Sequence, residues 1–171
     1  MKLKEIDKLK EEIKQILIDN KAIEIKSISL KDKTSIADFM IIASGNSSRH
    51  IQALSEILLD KLKKYVENIL SDNKAMEIIS INLKGKTSIA DFMIIASGNS
   101  SRHIQALSEI LIDELKKKGI NNCRLEGRDS NDWKLIDAID IIIHIFHPEK
   151  RKFYDLEKMW SELIPKERLT I

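Results

Sequence analysis

The sequence predicts an α/β (α+β) chain: a complete αββαβββα unit preceded by a duplicate of its own front half, αββα. Two observations carry this. Residues Lys33 to Leu58 recur letter for letter as Lys86 to Leu111. A looser echo extends outward, with Ile16-Leu17 and Asp19-Asn20-Lys21-Ala22 returning as Ile69-Leu70 and Asp72-Asn73-Lys74-Ala75. A repeat at fixed spacing sets what the structural unit is, so it takes precedence over local patterns. The second observation is the spacing of apolar residues. It alternates between three- and four-residue steps and short continuous runs, as helices alternating with strands require.

Leu3, Ile6, Leu9, Ile13, Ile16 and Leu17 recur at helical steps with lysines and glutamates between them, an amphipathic helix. Ile23 to Leu30 reads as a strand and Asp32-Lys33 as its turn. Asp38 to Ala43 is a continuous apolar run, expected of a strand covered on both faces. Ser44-Gly45-Asn46-Ser47-Ser48 breaks it, and a helix follows with Ser47 or Ser48 as N-cap.

The second copy repeats this order and closes its helix on Lys116-Lys117-Lys118-Gly119, basic residues before a glycine stop. The first copy has Val66 where that glycine stands, and no Gly or Pro falls between Gly45 and Gly85. Ile51, Leu54, Leu58, Leu62, Tyr65 and Ile69 keep helical steps across the junction. One helix of about 47–70 is expected to join the copies, roughly 36 Å long at 1.5 Å per residue. The expected division is a half-unit of 1–64 and a complete unit of 65–171, with the junction inside that helix.

The half-unit has strands but no C-terminal partners for them, and about 60 residues with half a sheet is marginal alone. Lys26 stands where the second copy has Ile79 and shares a strand face with Ile28 and Leu30. Either the core is thinner there or the lysine lies at the strand's end and reaches out to water. Either copy could in principle pair with the chain from Cys123 onward. The short connection favours the second, because the first would have to loop out some 53 residues.

Beyond Gly119 the chain is unique. Cys123 to Glu126, Trp133 to Asp137 and Ile139 to Phe146 read as strands, with Gly127 to Asp132 a polar turn. His147-Pro148-Glu149 leads into a final helix, about Lys150 to Leu163, closed by Pro165. Trp133, Phe146, Phe153, Tyr154 and Trp160 place five of the eight aromatic residues in this last third.

With 43% hydrophobic and 33% charged residues in 171, the chain can bury a core and stay soluble. A net charge of +2 argues for neither nucleic acid nor membrane. The single cysteine, Cys123, excludes an internal disulfide framework and reads as a small packed thiol in a reducing compartment. There is no 18-residue apolar run, and the N-terminus lacks a signal-peptide core. A cytoplasmic protein with no membrane contact is expected.

Several motifs then coincide. They are Thr87-Ser88-Ile89-Ala90-Asp91-Phe92-Met93-Ile94-Ile95-Ala96-Ser97-Gly98-Asn99-Ser100-Ser101-Arg102-His103, then Glu126-Gly127, then Asp132-Trp133 with Asp137. His144-Ile145-Phe146 follows, and then Arg151, Phe153-Tyr154-Asp155-Leu156-Glu157 and Trp160. Together they resemble the ribosomal silencing factor (RsfS, Iojap) family over Tyr65 to about Leu163. Residues 1–64 resemble only its front half. The resemblance implies a nucleotidyltransferase-like fold without demonstrated catalysis and without a cofactor. It implies binding to large-subunit ribosomal protein fourteen, which blocks joining of the 30S and 50S subunits and represses translation under nutrient limitation.

The residues themselves suit a protein-binding face, which needs aromatic anchors with a polar rim. Trp133, Leu135 and Asp137 alternate and share one strand face, and His144 shares one with Phe146. Arg151 and Tyr154 are three apart on the following helix and can reach one patch. Glu126, Asp132 and Asp137 would make that face acidic, suited to a basic ribosomal partner, or are ordinary solvated charge. The candidate partner-binding residues are Trp133, Leu135, Asp137, Glu126, His144, Arg151 and Tyr154, with Phe146, Leu156 and Trp160 read as core.

An alternative is a domain-swapped or structural oligomer, a homodimer included, whose extra strands complete a neighbour's sheet. A more distant one is a nucleotidyltransferase. Ser97-Gly98-Asn99-Ser100-Ser101 opens a helix and could hold phosphate, but the nearest carboxylates, Asp137 and Asp140, flank a turn and need not share a face. The serines read better as a cap and tight turn. His103 and Arg102 beside it read as neighbours in local polar contacts. His144 and His147 lack companions at zinc-ligand spacing, so no metal is expected. The lysine runs lack interleaved aromatics, so no direct nucleic-acid readout is expected.

Overall fold

The computed structural model describes residues 2–160 apart from 32 and 34–36, with side chains described from residue 6 onward. The chain divides into two compact units, Met1–Lys64 with Asp113–Asn122, and Tyr65–Ile112 with the chain from Cys123.

In the first unit, helix α1 (Lys2–Asp19) precedes strands β1 (Ile23–Ser29) and β2 (Phe39–Ser44), which pair antiparallel as a two-stranded sheet. Helix α2 (Ser48–Asp72) is continuous through the junction of the copies, as its unbroken apolar steps and the absence of a glycine stop lead one to expect. Ser47 is its cap, its Oγ accepting from the His50 backbone N–H at 3.1 Å.

In the second unit, β3 (Met76–Asn82) and β4 (Phe92–Ser97) are followed by helix α3 (Ser101–Lys117), then β5 (Arg124–Glu126), β6 (Trp133–Asp137) and β7 (Ile141–Phe146). The strands form one mixed sheet in the order β3-β4-β7-β6-β5. Strand β4 runs parallel to β7, from Phe92 beside Ile141 to Ser97 beside Phe146, and the other pairs are antiparallel. The second copy is therefore the one that takes the unique C-terminal half.

The end of the chain departs from the single helix expected over 150–163. Helix α4 (Pro148–Tyr154) stops at Asp155, whose φ of 43° is left-handed, and a short helix α5 (Leu156–Met159) starts there. Asp155 is at once the C-cap of one and the N-cap of the other, its side chain accepting from the Lys158 N–H. Leu163 and Pro165 lie outside the described residues.

The two copies build the same local geometry in different surroundings. Lys21 and Lys74 have φ of 61° and 62°, Glu24 and Glu77 of 51° and 49°, and a β-bulge follows at the same place in each. Yet Ile81, Met93 and Ile95 are 0%, 5% and 0% exposed, whereas their counterparts Ile28, Met40 and Ile42 are 43%, 46% and 48% exposed. In the second unit that face packs under Phe146, Leu156 and Trp160. The first unit has no such cover among the described residues. Lys26, in the middle of β1 opposite Ile42 and not at its end, lies on this open face and is exposed.

Candidate protein-binding face

The site grows from the pairing of β6 with β7. Trp133 lies opposite Phe146, Leu135 opposite His144 and Asp137 opposite Ile142, so these six side chains share one sheet face. Residues between them point the other way. Ile136 is fully buried there, and Lys134 is 2% exposed with its Nζ donating to the carbonyls of Gly127 and Arg128. A buried lysine inside an apolar strand was not foreseen from the sequence. It ties down the 127–132 turn that carries the chain into Trp133. Gly127 is required in that turn. Its φ is +69°, and a Cβ there would lie 2.7 Å from the carbonyl oxygen of Trp133.

On the shared face the aromatic rings form a row. Trp133 stacks toward His144 with centroids 6.2 Å apart, and His144 lies 5.6 Å from Phe146. Phe146 is 5.8 Å from Tyr154, which meets Phe153 edge-on at 5.3 Å. The row passes from core to solvent: Phe146 is buried, Tyr154 is 50% exposed and Phe153 is 77% exposed with Lys150 over its ring. The Trp133 indole N–H donates to His144 Nδ1 at 3.2 Å. Burial pushes the His144 pKa down to about 4, so the ring stays neutral near pH 7.

Cover over the face is uneven. Its β3-β4 side, with Phe146, lies under Leu156 and Trp160, matching their expected core role. Toward the β5 edge, Trp133, Leu135 and Asp137 are only half-buried and Glu126, opposite Leu135, is exposed. Arg124 stands opposite Asp137, so the charge here is mixed, not purely acidic. Asp137 also accepts the Ile139 N–H at 2.9 Å, which holds the β6–β7 turn with Ile139 in a left-handed conformation (φ 72°) and 59% exposed. Asp132 accepts the His147 N–H through its carbonyl at 2.8 Å, closing the turn against the start of α4.

Arg151 is not on the surface with Tyr154. It is 6% exposed, because α4 turns that position inward while Tyr154 looks out. Its Nη1 donates to Ser97 Oγ at 2.8 Å, its Nε pairs with Glu157, and Glu77 lies 3.7 Å away. It joins the end of β4, the bulge of β3 and the α4–α5 break. Phe153 and Met159, both well exposed, were missed. The adjacent Phe153-Tyr154 pair was the available signal, since neighbours on a helix point about 100° apart and do not share one direction.

The helix-opening loop is occupied by its own structure. Ser97 accepts from Arg151, and Ser100 caps α3 by accepting the His103 N–H at 3.2 Å. His103 bridges the Asn99 N–H at Nδ1 and the Asn73 carbonyl at Nε2. Asp140 has its pKa raised by burial and then by the neighbouring Asp91. Among the described residues, no group of three or more His, Cys, Asp or Glu is placed to hold a metal, and no helix is long and apolar enough to cross a membrane.

The model of one family, "Ribosomal silencing factor during starvation", matches the chain twice, over residues 3–69 and 60–170. A protein of Zymomonas mobilis named "Ribosomal silencing factor RsfS" is 50% identical over 102 residues, 60% of this chain and 77% of that one. The mouse protein "Mitochondrial assembly of ribosomal large subunit protein 1" is 32% identical over 97 residues, 55% of this chain and 42% of that one. A crystal structure from Chromobacterium violaceum, 33% identical, superposes with a TM-score of 0.58 over 63% of this chain and 89% of that one.

Proposed function

The chain belongs to the ribosomal silencing factor family, and from that premise we propose that it represses translation by occupying the large ribosomal subunit. The proposed contact is large-subunit ribosomal protein fourteen, and the consequence is that 30S and 50S subunits cannot join when nutrients are short. It is a binding function without catalysis. The observation that supports it best is the aromatic row from Trp133 to Phe153 beside the half-open β5–β6 face. Interfaces of this kind place a few fixed aromatic anchors in a polar rim. Trp133 is anchored on both sides, by its hydrogen bond to His144 and by the turn at Gly127. Leu135, Tyr154 and Phe153 supply apolar area, and Glu126, Asp137, Arg124 and Lys150 supply the charged rim.

Co-sedimentation of the full chain with purified large subunits, followed by light-scattering of subunit joining, tests the reading. The wild-type chain is expected to pellet with large subunits and to suppress joining. Trp133→Ala should weaken binding by about 2 kcal/mol, roughly thirtyfold. Equal pelleting of the variant and the wild type would sink the assignment of the face, and free joining in the presence of the wild-type chain would sink the function.

A further inference from the structure

We infer that Lys134 is a positioning residue for the large-subunit contact: from the buried side of β6 it holds the 127–132 turn against the Trp133 ring. This role rests on the reading of the face given above and adds to it a side chain that the partner never touches.

Lys134 is 2% exposed and lies on the face of β6 away from Trp133, the face of the fully buried Ile136. Lysine is rarely buried to this extent without a carboxylate, because its polar head loses water. Among the described residues no carboxylate pairs with it. Its Nζ donates instead to the carbonyl of Gly127 at 2.8 Å and to that of Arg128. A methionine of similar length would fill the same space without the polar head. A group that is costly to bury, kept where an apolar one would fit, points to a role other than core stability.

What the two bonds hold is a wall of the Trp133 site. Gly127 lies so close to Trp133 that an added Cβ would be 2.7 Å from its carbonyl oxygen and 3.2 Å from the ring carbon Cε3. The indole N–H is fixed separately, by His144. The turn does not hold itself. None of residues 127–132 is buried, so packing alone does not fix them. The Ser130 N–H donates to the Gly127 carbonyl at 3.0 Å, and Ser130 Oγ accepts the Asp132 N–H at 3.3 Å. The far end is tied by the Asp132 carbonyl to the His147 N–H at 2.8 Å. Lys134 ties the first two carbonyls to the strand that follows. A side chain facing the core thereby sets the shape of the surface on the other side of the strand, which lowers the cost of ordering that surface when a partner binds.

Lys134→Met in the full chain tests this, and the expected result is a split between stability and binding. The urea midpoint should stay at or above the wild-type value, since an apolar chain replaces a buried polar head and the freed carbonyls lie on a turn that water can reach. Amides of 128–132 should exchange about tenfold faster while those of 141–146 do not change. The Kd for purified large subunits should rise about tenfold, as it would if the freed turn were in place about one-tenth of the time. Ile136→Val, on the same buried face, is the companion variant. It loses core packing without touching the turn, so it should lower the urea midpoint and leave the Kd unchanged. Wild-type affinity in Lys134→Met would overturn the role of Lys134. So would an equal loss of binding in Ile136→Val, because the effect would then be one of stability. Failure of the wild-type chain itself to bind large subunits would sink the reading of the face, and this role with it.

Discussion

At the scale of single residues, His144 links the site to pH. Its ring is held neutral by burial, with a pKa near 4 against 6.5 for a free imidazole. Between those values the unfolded chain binds a proton that the folded chain does not, so folding stability falls as pH drops from 6.5 toward 4 and levels off below. The full loss is about 3 kcal/mol, the shift converted at 1.36 kcal/mol per pKa unit. Urea denaturation between pH 7 and 4 measures it, and His144→Gln should flatten that part of the curve. An unchanged slope in the variant would assign the acid sensitivity to other groups. The alternation that gathers Trp133, Leu135 and Asp137 was readable from the sequence, because side-chain direction in a strand follows a period of two. The burial of Arg151 was not. Its position beside Tyr154 fixed only angular proximity, and which of the two faces the core depends on where Ser97 and Glu157 lie in space.

At the scale of elements, local geometry follows the letters and the breaks follow partners. Both copies place a histidine, His50 and His103, with Nε2 on the carbonyl of Asn20 and Asn73, and both Asn side chains bond back to Ile16 and Ile69. The continuous α2 was legible because a missing glycine is a local signal. The break at Asp155 was not, since it arises where Arg151 pairs with Glu157 across the two short helices. Arg151 is the joint that α4, α5 and the β4 terminus share. Arg151→Ala leaves Glu157, whose side chain is 19% exposed, and the buried Ser97 without their partner. The expected cost is about 3 kcal/mol, as for removal of one side of a buried ion pair. Glu77→Gln should cost less than about 0.5 kcal/mol, because Glu77 is 66% exposed and screened by water. Chemical denaturation of the two variants compares them directly, and equal losses would show that the contacts of Arg151 with Glu157 and Ser97 add no stability beyond the exposed pair with Glu77.

At the scale of the whole molecule, the repeat separates what a sequence specifies from what its surroundings specify. Phe39–Ser44 and Phe92–Ser97 are the same six letters and form the same strand in the same register against β1 and β3. Only the second gains β7 and a covered face, and its six residues are all buried, whereas the first alternates between half-buried and exposed. Fold class was therefore legible, and burial was not, because burial belongs to the partner strand some 50 residues away. Amide hydrogen exchange by NMR turns this into a measurement. Identical letters give nearly identical intrinsic exchange rates, so any difference reports structure alone. If the five-stranded sheet is held by about 4 kcal/mol more than the isolated hairpin, amides of 92–97 should exchange on the order of 10³-fold more slowly than those of 39–44. Equal rates would mean that the hairpin is as stable alone as within the sheet, contrary to the marginal stability expected of two strands.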